Sequence, residues 1–404
     1  MKPPYHIGAV CIAIALAACS GAQSGSIANP VPAVGAPQTS FMTGAATPSV
    51  NKGQHLAGAH RATTALILVA NENTGLGGSI REYAESGNGN VAPSTVISHI
   101  NGPYAIAFSS TEGIGIANGN IASGGQAAIQ TFGLAGDLLT GISCFPKPSQ
   151  TSAVAFDRRD QLFVSAFLPE GGRAVEVFAP GANGCVKPRR TISDAGGLAI
   201  DSHNLLYVAN SETATIDIFP AGSSTMQAQI GGSNTGLGTP GSSALPGDTV
   251  AVDASRNVYV FDPKTATISE FAAGATGNVA PIRTIAGSNT GLSGGNGFSF
   301  GLAVSKRSGE IFVSNPGSNA ILGFAANASG NAAPIQTIAG SATGLADPLG
   351  LVVTQSRLAR SQATTRPTTR SQLSRYSAHG FAIARPSLLR HFAHYRDAGL
   401  RQTQ

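Results

Sequence analysis

The sequence predicts an all-β protein, a six-bladed β-propeller built from four-stranded blades. The chain has 404 residues, of which 51 are Gly, none is Trp and only 11% are charged. This composition is typical of many short strands joined by tight turns. Related segments also recur about every 40 to 53 residues, which is the spacing of propeller blades. Three strand patterns each occur six times, and six copies predict six blades.

The three patterns predict the order of the strands within a blade. One strand recurs at 106–108, 154–156, 198–200, 250–252 and 302–304, where its central residue is small, and for the sixth time at 351–353. We expect it to be innermost, because the strands of all blades converge there and bulky side chains do not fit. The next strand is apolar on both faces, which favours a position between neighbouring blades; it contains Val69, Ile116, Val164, Val208, Val260 and Val313.

A third and a fourth strand complete each predicted blade. The third alternates and ends in an aromatic residue, at Tyr83, Phe132, Phe178, Phe219, Phe271 and Phe324. A Gly-containing turn follows, and then an outer strand such as 281–285. The order therefore predicts a meander that runs from the tunnel outward.

The two ends of the repeat region complement each other. The first repeat starts at Leu66 with a strand of the second type and so lacks an innermost strand, whereas the spare apolar segment 349–353 follows the last repeat. We expect this C-terminal strand to join the first blade and close the ring, because closure leaves only short, protected edges.

The N-terminal residues predict export and a lipid anchor. Residues 1–18 combine Lys2 with a short apolar run, which is typical of a signal peptide. The segment Leu16-Ala17-Ala18-Cys19 resembles the lipobox of bacterial lipoproteins, and this resemblance implies that Cys19 carries diacylglycerol; an ordinary signal peptide is the alternative. Ser20 resembles the pattern that is sent to the outer membrane. We therefore expect a lipid-anchored protein of the bacterial cell envelope, at the outer membrane or cell surface.

Composition and charge divide the rest of the chain. We expect residues 19–62 to be a lipidated N-terminus with a disordered tether, 63–355 the propeller, and 356–404 a basic, disordered tail. The tail contains nine Arg and one Asp, while residues 20–355 contain 15 basic and 19 acidic residues. Because nucleic-acid binding requires clustered Lys and Arg on a folded face, we expect no nucleic-acid partner.

The repeats resemble the NHL repeats of bacterial propellers. The resemblance is clearest from Gly277 to Leu292 and in the similar copy from Gly330 to Leu345, and it covers about 66–354. It implies the architecture but no single activity, because propellers of this kind dock proteins, bind RNA, hydrolyse lactones or act as lyases.

Amide and carboxylate side chains follow five of the six second strands, at Asn71, Asn118, Asn210, Asp262 and Asn315. Ala166 takes the sixth position. Resemblance to senescence-marker and gluconolactonase propellers implies that such a polar ring at the tunnel mouth holds a divalent cation such as calcium. The residues themselves favour turn caps that bond to their own backbone, because hard cations need several charged oxygens and only Asp262 is a carboxylate. We therefore expect no cofactor.

Other candidates for chemistry are few. Asp157, Asp201 and Asp253 follow the innermost strands at the opposite end, and their repetition predicts turn-forming residues rather than a catalytic set. His99 and His203 lie in different blades. No Ser, His and Asp set can be assembled from the repeats, so we predict no catalytic residues.

Two cysteines, Cys144 and Cys185, lie near the outer parts of consecutive blades. Outside the cytoplasm thiols tend to be oxidised, so the pair is a candidate disulfide between blades two and three. Two buried free thiols are the alternative, since the geometry of a disulfide cannot be deduced from sequence.

These features predict a monomeric, non-catalytic envelope propeller, held at the membrane by its lipid, that binds a protein or glycan partner or acts as a scaffold. The alternative is an extracytoplasmic metal-dependent hydrolase or lyase of the gluconolactonase type. The two functions differ in a bound ion, which the enzyme would lose when Asp262 becomes Ala.

Overall fold

The repeat region forms six four-stranded antiparallel sheets arranged in a ring. A computed structural model describes residues 65–72, 78–100, 102–118, 129–143, 150–167, 172–194, 196–210, 212–238, 249–293 and 301–354. Within these ranges the helical structure is confined to the short 3₁₀ turns Ser288–Thr290 and Pro316–Ser318. No described helix is long and apolar enough to cross a membrane. The all-β prediction is confirmed.

Each sheet is one blade, and in blades two to six the strands run in chain order from the tunnel outward; in blade one the last strand of the chain is innermost. Blades one to three contain β1 Leu66–Asn71, β2 Gly78–Ala84, β3 Thr95–Ile100; β4 Pro103–Ser109, β5 Gly113–Asn118, β6 Ile129–Phe132, β7 Leu138–Ile142; β8 Gln150–Phe156, β9 Leu162–Phe167, β10 Arg173–Phe178 and β11 Arg190–Ile192. Blades four to six contain β12 Gly197–Ile200, β13 Leu206–Asn210, β14 Thr215–Phe219, β15 Ala228–Gly231; β16 Val250–Val252, β17 Val258–Asp262, β18 Thr267–Phe271, β19 Arg283–Ile285; β20 Leu302–Val304, β21 Ile311–Asn315, β22 Ala320–Phe324 and β23 Gln336–Ile338. The last strand, β24 Pro348–Thr354, belongs to blade one.

The ring is closed by β24, as the sequence predicts. This strand pairs antiparallel with β1, with Leu351 opposite Val69 and Thr354 opposite Leu66. It therefore supplies the innermost strand that the first repeat lacks. Every innermost strand contacts the innermost strands of both neighbouring blades, so the two ends of the repeat region meet in one blade.

The strand order within the blades also agrees with the sequence patterns. The central alanines of the innermost strands are each 7 to 8% exposed, where converging strands leave room only for small side chains; they are Ala107, Ala155, Ala199, Ala251 and Ala303. The second strands β1, β5, β17 and β21 are buried along their whole length, as expected for strands covered on both faces.

The hydrophobic core is divided among the six junctions between blades. Each junction contains a separate cluster of buried apolar residues contributed by both neighbours. The aromatic residue that ends the third strand packs against the preceding blade in all six cases; the set is Tyr83, Phe132, Phe178, Phe219, Phe271 and Phe324. These side chains bury large apolar areas, and their regular spacing follows from this shared role.

Candidate functional site

The predicted polar ring lies where the second strands end, and two of its members cap their own turns. The Oδ1 atom of Asn210 accepts hydrogen bonds from the N–H groups of Glu212 at 3.0 Å and Thr213 at 3.3 Å. Asp262 Oδ1 accepts from the N–H of Lys264 at 2.8 Å, and its Oδ2 accepts from Thr265 Oγ1 at 2.9 Å. At these two positions the side-chain oxygens satisfy backbone and hydroxyl donors of the turn.

Asn210 also donates from Nδ2 to Asp194 Oδ1 at 2.7 Å, and with two further members it ties the second strand to the segment that precedes the innermost strand of the same blade. Asn71 Oδ1 accepts from the N–H of Ala346 at 2.7 Å. Asn315 Oδ1 accepts from the N–H of Ser293 at 3.1 Å, and its Nδ2 donates to the Gly291 carbonyl at 3.0 Å. The turn-cap interpretation anticipated backbone donors, but not donors so distant in sequence.

The remaining member, Asn118, contacts the third strand and the next blade. Its Nδ2 donates to Gln130 Oε1 at 3.0 Å, and its main-chain carbonyl oxygen accepts from Thr151 Oγ1 at 3.0 Å. Ala166, at the sixth position, is buried. Among the described residues no group of three or more His, Cys, Asp and Glu side chains is arranged to hold a metal ion. That the ring holds no cation stays a prediction.

The aspartates at the opposite end form turns, which confirms their predicted role. Asp157 Oδ1 accepts from the N–H groups of Arg159 and Gln161 at 2.9 and 2.8 Å. Asp201 Oδ1 accepts from those of His203 and Leu205 at 2.8 and 2.9 Å. Such turns place a carboxylate at the start of the reversal between first and second strands in blades three, four and five.

A tyrosine and two charged residues meet at the junction of blades five and six. Glu270 Oε2 lies 2.5 Å from Arg283 Nη2, and Arg283 Nη1 donates to the Ala326 carbonyl at 2.9 Å. Burial, followed by the charge of Glu270, raises the pKa of Tyr259. The crevice that these side chains line is too tight to hold a water molecule. It links two blades and offers no room for a substrate.

The equivalent arginine of blade three has a different environment. Arg190 precedes Thr191 as Arg283 precedes Thr284, but its guanidinium lies over the Phe163 ring, 5.7 Å from the ring centre. Burial lowers the pKa of Arg190, and the charge of Asp157 partly opposes this effect. The repeated Arg-Thr-Ile sequence was the only signal of these contacts, and it did not reveal their partners.

Cys185 lies on the surface, in the turn after β10, whereas Cys144 lies outside the described residues. The backbone next to the two cysteines is joined, because the N–H of Ser143 donates to the Gly184 carbonyl at 3.1 Å. Cys19, with the predicted signal peptide and tether, and the tail 356–404 also lie outside the described residues.

Large apolar side chains are exposed on the outer strands. All the described side chains of this kind lie in an outer strand or within two residues of one, with 43 to 57% of their surface exposed; they are Val96, Leu138, Leu139, Met226, Ile282 and Ile335. Ile282 and Ile335 occupy equivalent positions in neighbouring blades, each directly before its strand. Among the described residues the exposed large apolar side chains therefore lie on the outer surface of the ring, which we call the rim.

No family model and no curated protein sequence matches this chain. Among solved structures, a protein of unknown function from Bacteroides caccae is similar with a TM-score of 0.51 at 9% identity, covering 72% of this chain and all of that one. The periplasmic gluconolactonase of Pseudomonas aeruginosa is similar with a TM-score of 0.46 at 12% identity over 73% of this chain and all of that one. A putative 6-phosphogluconolactonase from Bacteroides uniformis gives 0.43 at 14% identity over 65% and 78%.

At identities this low the similarity extends to the fold alone. The fold itself follows from the strand pairing: this chain is a six-bladed β-propeller. The resemblance to NHL repeats stays a prediction.

Proposed function

We propose that the protein is a non-catalytic propeller of the bacterial cell envelope, anchored through a lipid on Cys19, that binds a protein or glycan partner. The observation that carries this proposal is the position of the exposed large apolar side chains, since in the described residues all of them lie on the rim, where a partner that contacts the outer strands would cover them. Side chains that would serve chemistry, such as Asp201 and Asp262, are engaged by the N–H groups of their own turns.

The rim proposal is tested by crosslinking the tagged full-length chain in native envelopes and comparing variants. We expect the wild type to capture one partner reproducibly and an Ile282→Glu, Ile335→Glu variant to lose it, because two buried charges disfavour an apolar interface. Thr284→Glu is the matched control, since it adds a charge to the same outer strand without removing an apolar side chain. Equal capture by all three chains, or by none, contradicts the proposal.

The competing function, a metal-dependent hydrolase or lyase, is separated by calorimetric titration with calcium. We expect no saturable heat with the wild type, because the ring supplies a single carboxylate and the two carboxylates beside it, Asp194 and Asp217, accept hydrogen bonds from Asn210 Nδ2. Saturable binding that disappears in Asp262→Ala favours the enzyme instead. Asp253→Ala is the matched control, since it removes a turn-forming carboxylate from the other end of the ring.

A further inference from the structure

The outer edges of four blades are covered by a glycine from the next blade in the ring. The glycine lies in the turn between third and fourth strands, and it forms an isolated parallel bridge with the buried isoleucine of the neighbouring outer strand. The four pairs are Gly184 with Ile142 of β7, Gly277 with Ile230 of β15, Gly330 with Ile285 of β19, and Gly89 with Ile338 of β23. We call this contact the edge cap.

The edge cap uses the same backbone atoms each time. The residue before the isoleucine accepts the glycine N–H at 2.6 to 2.8 Å, and the residue after it donates its own N–H to the glycine carbonyl at 2.9 to 3.1 Å. In two caps an asparagine before the glycine also accepts an outward N–H, as Asn88 does from Thr337 at 2.9 Å. All four glycines have positive φ, between 62 and 73°, a conformation that glycine adopts without steric cost.

The two remaining blades differ from this pattern. In blade three, Ser224 Oγ of the next blade donates to the Thr191 carbonyl at 3.1 Å, so part of the edge is covered. In blade one the outer edge belongs to β3. The turn that would cap it lies in blade two, between β6 and β7, and bonds internally instead, since the N–H of Gly133 donates to the Asp137 carbonyl at 2.8 Å. The β3 edge therefore receives no edge cap from the described part of the chain.

The groups left uncovered can be named from the other blades. Ile97 is the buried isoleucine of β3, so Val96 corresponds to the acceptor residue and Ser98 to the donor residue. β3 pairs only with β2, and no described residue bonds to the outward N–H and C=O of Val96 or the N–H of Ser98. With six residues, β3 is also longer than the other outer strands, which have three to five.

We propose that β3 is a docking edge for a peptide segment of a partner protein, which adds to blade one as a fifth, parallel strand. The proposal rests on the proposed partner-binding function and names the partner's chemistry. A peptide backbone is the occupant because peptide backbone from the chain's own turns covers the same atoms in four other blades. A glycine opposite Ile97, preceded by asparagine, would reproduce the contact that Asn88 and Gly89 make with β23.

The sequence of β3 suits this role. Natural edge strands are protected from pairing by charged residues, proline or β-bulges. Residues 94–98 contain none of these, and the bulge of β3 lies beyond them, at His99. Val96 adds a side chain that is 43% exposed beside the free backbone groups. Strand addition of this kind takes affinity from main-chain hydrogen bonds and specificity from neighbouring side chains.

The test is selection of a random peptide library on the full chain, followed by binding to two variants. Ser98→Pro removes the outward N–H, whereas Ser98→Ala keeps it and serves as the matched control. We expect the selected peptides to bind wild type and Ser98→Ala equally and to bind Ser98→Pro about tenfold more weakly, the equivalent of about one hydrogen bond. If Ser98→Pro does not fold, hydrogen exchange on the wild type decides, with peptide slowing exchange at Val96 and Ser98.

The proposal is overturned if no peptide is selected, if binding ignores Ser98→Pro, or if exchange slows elsewhere. A wild-type dimer that dissociates in Ser98→Pro would assign the edge to a second copy of the chain and overturn the peptide assignment. None of these results depends on Ile282 or Ile335, so a failure of this edge is distinguishable from a failure of the rim experiment.

Discussion

The Nε atom of Arg256 in blade five donates to Asp201 Oδ2 in blade four over 2.7 Å. It does so from a left-handed backbone, with φ of 72°, a region that is unfavourable for a side chain of this size. Burial alone would raise the pKa of Asp201, but the bond from Arg256 and the N–H groups of Leu205 and His203 outweigh it and lower this pKa. The hydrogen bond to Asp201 therefore offsets the steric cost of the positive φ of Arg256.

Replacing Arg256 separates the two effects. We expect Arg256→Ala to lower the free energy of unfolding by about 1–3 kcal/mol, because a buried carboxylate loses a charged donor. Arg256→Gly should be more stable than Arg256→Ala by about 1 kcal/mol, because glycine adopts a positive φ without steric strain. Denaturant unfolding of the three chains measures both differences. If Ala and Gly variants are equally stable, the backbone is not strained at this position.

The Arg256 effect should depend on pH. The folded-state pKa of Asp201 is lowered, so its contribution is complete above the pKa of an unfolded aspartate, about 4, and disappears as the pH falls through the folded value. Wild type and Arg256→Ala should therefore converge in stability in acid. A gap that persists unchanged at pH 2 to 3 would show that the contact stabilises through packing alone.

Tyr83 predicts how the ring responds to alkali. Its hydroxyl donates to the Thr343 carbonyl at 2.7 Å across the closing seam, and burial raises its pKa to about 12. As the pH rises, the tyrosine of the unfolded chain ionises first, near pH 10. The contribution of Tyr83 to the free energy of unfolding is therefore complete below pH 10 and falls by about 1.4 kcal/mol per pH unit up to pH 12. Tyr83→Phe should be about 1 kcal/mol less stable at pH 8, and its stability should fall less steeply than that of the wild type by about 1.4 kcal/mol per pH unit, because Tyr207 and Tyr259, whose pKa values are also raised, still contribute. Denaturant unfolding from pH 8 to 12 compares them; parallel curves would contradict the assignment.

Removing β24 should destabilise the whole ring. A chain ending at Asp347 loses the innermost strand of blade one, including Leu349 and Leu351, which are 0 and 6% exposed. Since each buried leucine contributes about 2–5 kcal/mol, we expect the truncated chain to unfold at a much lower temperature or not to fold. A chain ending at Thr354 is the control and should keep the midpoint of the full chain. Equal midpoints for both truncations would mean that β24 is dispensable.

The cysteine pair predicts a disulfide between blades two and three. The hydrogen bond from Ser143 to Gly184 joins the residues adjacent to Cys144 and Cys185. We expect the unreduced propeller to weigh two hydrogens less than the reduced form, and its reduction to cost roughly 2–4 kcal/mol of stability. Mass spectrometry after alkylation, with and without reductant, measures the first. Labelling of both cysteines without reductant would establish two free thiols.

The sequence revealed those features that each repeat contains within itself. The alanine of the innermost strand and the aromatic residue of the third strand have fixed positions in a blade, so their recurrence predicts both the blade order and the number of blades. The outer strand of blade five was predicted too long: β19 begins at Arg283 rather than at Pro281, since proline has no N–H to give to the ladder. The closing strand was identified because the first repeat lacks a strand.

Contacts between blades were not predictable from these patterns. The bond from Tyr83 to Thr343 spans 260 residues and that from Arg256 to Asp201 spans 55. Both depend on the distance between neighbouring blades and on side-chain conformation, neither of which has a periodic signal. The polar ring illustrates the same limit, because Asn210 and Asn71 look alike in sequence, but the Oδ1 of Asn210 accepts from its own turn and the Oδ1 of Asn71 accepts from a residue 275 positions away.

The edge caps can form only in a certain order during translation. Since β7, β15 and β19 are capped by glycines from the blade that follows in the chain, each of these edges stays open while the ribosome makes the next repeat. Open edges are the usual starting points of intermolecular sheet formation. For β23 the capping residue, Gly89, has been translated long before. The edge of the last repeat can therefore be capped as soon as the repeat is made.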